Sequence, residues 1–216
     1  MSEPESLATD EGLDAHIRRH SYDRLLMVSD GIFAIAITLA ALEIRIPEGK
    51  LSPGELIHEI SLPILAYLVS FGVIAIFWTS HRNLFARLRS VDRGVTWLTL
   101  AMLCLISLIP AVLHAVYTPG GGETRFRFYA ATMIACGLAN ALLWIYSAAR
   151  SGLMAPEVTW ADRWTRALGT LAMPVIFLPM LLAPMDQYAN TIVPVALVVV
   201  LVRRKLLPML IKRMAR

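Results

Sequence analysis

The sequence predicts an all-α integral membrane protein with six transmembrane helices per chain. Hydrophobic residues make up 57% of the 216 positions, more than a soluble core of this size requires. They gather into runs of about 20 residues, the length of one bilayer crossing. Sixteen of the twenty Lys and Arg residues fall at the chain's ends and in every second connection between the runs. That alternation is the signature of a chain threading a membrane with its basic ends on the cytoplasmic side.

Residues 1–23 (MSEPESLATDEGLDAHIRRHSYD) form a polar, acid-rich arm that lacks the basic start and apolar stretch of a cleavable leader. They are expected to remain in the cytoplasm, partly disordered. Residues 24–208 form the six-helix transmembrane domain, and 209–216 a basic cytoplasmic tail. The expected spans are 25–46, 60–81, 95–117, 128–149, 166–185 and 188–207. Spans five and six are separated only by a turn around Asp186, and Pro184 argues against a single long helix. Runs rich in β-branched residues, Val73 to Trp78 and Val193 to Val202, are read as helices because a lone strand leaves its backbone groups unpaired in lipid. With six crossings both termini are cytoplasmic, and a multi-pass location in the plasma membrane is expected. The excess of basic residues is accounted for by topology, so no nucleic-acid partner is implied.

The first span, Arg24 to Pro47, has two distinct faces when its residues are placed 100° apart. Val28, Gly31, Thr38, Leu39, Leu42 and Ile46 fall within about 60° of Ile35, whereas Asp30 lies about 140° away. An intramembrane carboxylate is costly and marks a functional or structural site. The apolar stripe fits a pore wall and also fits a lipid-facing or helix-facing surface, which periodicity alone does not separate. At the same depth as Ser29 and Asp30, the second span carries Trp78 and His81. Either His81 or Arg24 would suit Asp30 as a charge-assisted hydrogen-bond partner.

Nothing in the sequence has the spacing of an enzyme site. His16 and His20 stand four apart in the polar arm with no carboxylate-lined cavity evident. Asp30 and Glu43, thirteen residues apart on one helix, stand about 20 Å from each other and cannot act on one bond. No cofactor or resident metal is implied. Cys104 and Cys136 lie inside apolar spans and are read as buried small hydrophobes.

Arg24, Ser29 and Asp30 in RLLMVSDGIFAIAITLAALEI, followed by YLVSFGVIAIFWTSHRNLF and a six-span layout, resemble a prokaryotic member of the transmembrane protein 175 family of potassium channels. The family's first helix opens with Arg-x-x-x-Phe-Ser-Asp, and Val28 stands where that motif has phenylalanine. The resemblance is close over the first two spans and rests on layout beyond them. It implies a homotetramer with the first helix of each chain lining a central pore. By the same resemblance Ile35, Leu39 and Leu42 form the hydrophobic constriction, and Thr38 is the polar residue lining the pore. Arg24, Ser29 and Asp30, with Trp78 and His81, form a network supporting the pore helix. The implied partners are K⁺ and the lipid bilayer. No carbonyl-filter sequence of the TVGYG type occurs, so preference for K⁺ over Na⁺ is expected to be modest. Two other readings stand beside this one: a proton-coupled or proton-conducting transporter using Asp30 and His81, and a membrane scaffold without transport.

Overall fold

The protein is described from a computed structural model covering residues 3–42, 44, 49, 52–117, 122–184 and 207–214, with 194–195, 198–200, 202 and 205, and with side chains from His20 onward except at 62, 66 and 212. Among the described residues, helices run in the order α1 (Glu3–Leu42), α2 (Pro53–Phe85), α3 (Arg93–Ser107), α4 (Ile109–Tyr117), α5 (Gly122–Ala149), α6 (Trp160–Gly169), α7 (Ala172–Leu182) and α8 (Leu207–Met214). Five segments among the described residues are long and apolar enough to cross a bilayer: His20–Leu42, Pro53–Phe85, Arg93–Val116, Gly122–Ala149 and Trp160–Leu182. The expected sixth span at 188–207, the turn at Asp186 and the Gly-rich connection at 118–121 lie wholly or mostly outside the described residues.

Two differences from the expected elements have clear causes. The arm expected to be partly disordered is helical from Glu3 and continuous with the first span. Its residues 5–23 hold no proline and only one glycine, so nothing interrupts the ladder. Two of the crossings are also broken helices. Pro110 has no N–H to give the Ile106 carbonyl, and at the junction Leu108 N–H closes a tighter turn on Leu105 O at 3.2 Å. Pro174 interrupts the fifth crossing in the same way. There the Thr170 hydroxyl donates to Ala167 O at 2.6 Å, satisfying one carbonyl at the break.

Helix α5 is the most enclosed crossing and packs against α3, α4, α6 and α7. Gly137 makes the α5–α7 contact possible, because a Cβ there would stand 2.6 Å from Pro174 Cδ. Cys136 is buried beside it, whereas Cys104, expected to be buried, is exposed on α3. Helix α1 packs against α2, α3 and α4.

One end of the bundle is tied together. Arg89 N–H donates to Leu153 O at 2.8 Å and Ala155 N–H to Arg87 O at 2.9 Å, pairing the α2–α3 and α5–α6 connections as a short antiparallel bridge. The Tyr22 hydroxyl donates to Phe85 O at 2.7 Å, satisfying a terminal carbonyl of α2. Asp92 caps α3 by accepting from Val95 N–H at 2.8 Å, and it also accepts from the Tyr146 hydroxyl at 2.7 Å. Arg150 Nε lies 3.2 Å from the same carboxylate. The basic connections therefore gather at one end, as the charge alternation predicts.

Burial raises the Asp92 pKa, but the Val95 and Tyr146 hydrogen bonds and the Arg150 charge outweigh it and hold the carboxyl below the usual aspartate value. A carboxyl depressed in the fold stabilises it above the unfolded pKa and loses that contribution as pH falls through the folded one. The thermal midpoint is expected to drop below about pH 4, and the acid-induced part of that drop should shrink in Asp92→Asn. An unchanged acid limb in that variant would remove Asp92 from the account.

Candidate functional site: the two faces of the first helix

Helix α1 divides along its length into a face that packs within the protomer and a face that does not. Leu25, Ser29, Phe33, Ala36 and Ala40, spaced three or four apart, are all buried. Val28, Ile35, Leu39 and Leu42 are exposed, Ile35 at 58% and Leu42 at 75%. Gly31 and Thr38 are exposed on the same side. The Thr38 hydroxyl gives its proton to its own helix, to Ile35 O at 2.9 Å and Ala34 O at 3.1 Å. Its oxygen lone pairs therefore face away from the ladder and can accept from water or a cation.

At the arm end of the membrane-spanning part of α1, the indole Nε1 of Trp78 donates to Asp30 Oδ1 at 2.9 Å. The Arg82 guanidinium lies over the same indole, 5.4 Å from its ring centre. Positions 78 and 82 are one turn apart on α2, so a single face presents both groups to Asp30's side of α1. The arrangement places an aromatic bridge between the carboxylate and a cation, and Arg82 was not singled out from the sequence. Its signal was present as a tryptophan and an arginine at i, i+4 beside the span end.

The other residues of the expected network are placed differently. Ser29 is fully buried and donates back to Leu25 O at 2.7 Å, so its contribution is a small, internally satisfied side chain at the α1–α2 contact. His81 is fully buried on the inner face of α2, its ring 4.2 Å from Phe85 and 5.8 Å from Phe33. Neither of its nitrogens has a hydrogen-bond partner among the described residues. Arg24 is exposed and makes no ion pair with Asp30 among the described residues. The structure thus joins Trp78 to Asp30 by a hydrogen bond, with Arg24, Ser29 and His81 taking no part in it.

The fold and this first helix define a multi-span helical membrane protein whose leading helix keeps a long apolar face unpacked by the rest of the chain. A family model described as the endosomal/lysosomal potassium channel TMEM175 matches residues 24–110. A Streptomyces collinus protein described as a potassium channel is 34% identical over 179 residues, covering 77% of this chain and 86% of that protein. One from Chamaesiphon minutus, also described as a potassium channel, is 31% identical over 147 residues, covering 65% of this chain and 71% of that protein. The crystal structure of a lysosomal potassium-selective channel TMEM175 homolog from Chamaesiphon minutus superposes with a TM-score of 0.64 at 23% identity, covering 86% of this chain and 99% of that one. The chain belongs to the TMEM175 family of ion channels and is not an enzyme.

Proposed function

We propose that four copies of this chain surround a central pore and pass K⁺ down its gradient. The four α1 helices line the pore, with Ile35, Leu39 and Leu42 as the constriction and Thr38 as its hydroxyl ring. The observation that carries this reading is the exposed Ile35–Thr38–Leu39–Leu42 face of α1. A closed ring of copies would gather that face around an axis, as cyclic homo-oligomers do with one surface of every subunit. A ring of branched aliphatic side chains excludes water when narrow and admits ions when wet. The modest preference for K⁺ over Na⁺ then comes from pore width, ion hydration and Thr38. The assembly sits in the plasma membrane with its tied, basic end and both termini in the cytoplasm.

Purified protein in vesicles under opposed K⁺, Na⁺ and H⁺ gradients tests this directly. K⁺ flux exceeding Na⁺ flux by a modest factor, independent of any H⁺ gradient, is the expected outcome. Flux that requires a proton gradient would replace the channel with a carrier, and absence of flux would leave a scaffold.

The Asp30–Trp78 bond is read as a brace for the pore helix. Asp30→Ala and Trp78→Phe should each lower the yield and thermal stability of the oligomer by about 1 kcal/mol per chain. The double variant should lose little more than either single one. Ion preference should change less than stability does; loss of K⁺ over Na⁺ preference with assembly intact would assign Asp30 to the conduction path.

A further inference from the structure

A cavity of about 410 Å³ opens between α2, α5 and the α6–α7 break, away from the Ile35 face. Its size falls in the range of small-ligand sites. Its lining changes character along α2. Ile76 and, across from it, Met173 give one part an apolar wall, and one turn on, Ser80 begins a polar one. Trp144 Nε1 donates to Ser80 Oγ at 3.0 Å, and Ser80 donates to Asn140 Oδ1 at 3.1 Å. Asn140 is almost wholly buried, and its amide nitrogen donates to no acceptor among the described residues.

Arg166 completes the polar side. Asp162 holds it through Nε alone, at 2.8 and 2.9 Å, and its terminal N–H groups donate to no acceptor among the described residues. Asp162 is also shared with Arg87, whose Nε lies 3.4 Å away. One carboxylate between two guanidiniums leaves a net positive charge at the cavity. The cavity therefore combines surplus N–H donors, a surplus positive charge and an apolar wall within one turn of helix. A phosphate diester carried on acyl chains matches all three, since its oxygens only accept and its chains suit the Ile76 side.

We infer that this cavity is a binding site for an anionic phospholipid, with Arg166 and Asn140 taking the phosphate and the Ile76–Met173 wall taking the start of an acyl chain. The site is separate from the proposed pore and does not depend on which ion passes through it.

The test measures thermal unfolding of the purified full-length protein in detergent, at matched ionic strength, with dioctanoyl-phosphatidylglycerol, dioctanoyl-phosphatidylcholine or sodium phosphate added. Phosphatidylglycerol should raise the midpoint by about 3 °C or more, and the other two should not. Arg166→Gln should lose the rise. Ile76→Trp, which fills the apolar part and leaves every charge in place, should lose it as well. The six basic residues from Arg203 to Arg216 are untouched in both variants, so a rise arising from general attraction of anionic lipid to the tail would persist in them and overturn the assignment. An equal rise with phosphatidylcholine, or with sodium phosphate, would also overturn it.

Discussion

Ile35→Asn should raise cation flux in vesicles on the order of tenfold, the change that about 1.4 kcal/mol of barrier produces. The substitution keeps the side chain near its original size while replacing a branched aliphatic group with one that hydrogen-bonds to water. In the proposed ring of four it would place four amides at the proposed constriction, and a constriction that conducts by wetting would become easier to fill. Ile35 is exposed in the protomer, so the change costs the individual fold little, and the oligomer should elute as wild type does. Unchanged flux with intact assembly would move the constriction elsewhere. Leu39→Asn, one turn on, should act in the same direction and more weakly, because Leu39 is the less exposed of the two.

Gly137→Ala should destabilise the protein by about 1–3 kcal/mol, the usual cost of overpacking a close contact. The new methyl would meet a proline ring and, at 3.1 Å, the Pro174 backbone nitrogen. Neither is the end of a flexible side chain, so α5 and α7 must separate. The matching substitution Gly94→Ala meets the Tyr146 hydroxyl and ring instead. That ring can swing aside at the expense of its bond to Asp92, so the smaller loss is expected there. Thermal unfolding of the two variants side by side checks the order, and equal losses would mean that the α5–α7 contact relaxes more easily than its geometry suggests.

Hydropathy located five crossings because lipid imposes length and apolarity on every one of them. It did not locate their interruptions. A window of about 20 residues averages over Pro110 and Pro174, and a proline in a membrane helix is compatible with either a kink or a break. The stripe of Ile35, Thr38, Leu39 and Leu42 was legible from 3.6-residue periodicity, and the structure leaves that face unpacked within the protomer. What it borders in the membrane depends on neighbours that one chain's sequence does not encode. Around Asp30 the sequence pointed to the right depth and offered Arg24 and His81 as partners. The bond goes to Trp78 because the rotation of α2 turns 78 and 82 outward and 81 inward toward Phe33 and Phe85. The Trp144–Ser80–Asn140 chain was not legible at all, because it joins two helices whose mutual rotation is set by tertiary packing.

The bridge between Leu88 and Met154 bears on how the chain reaches this state. Its two partners are far apart in sequence, and the pairing has to wait until everything from α3 to α5 has been delivered into the membrane. Helix α2 is thus inserted early and fastened late. A nascent chain halted before Leu153 leaves the end of α2, and the Trp78 face that meets Asp30, without this latch. Formation of the bridge marks the point at which α2 to α5 are joined, with α6 and α7 still to pack against α5.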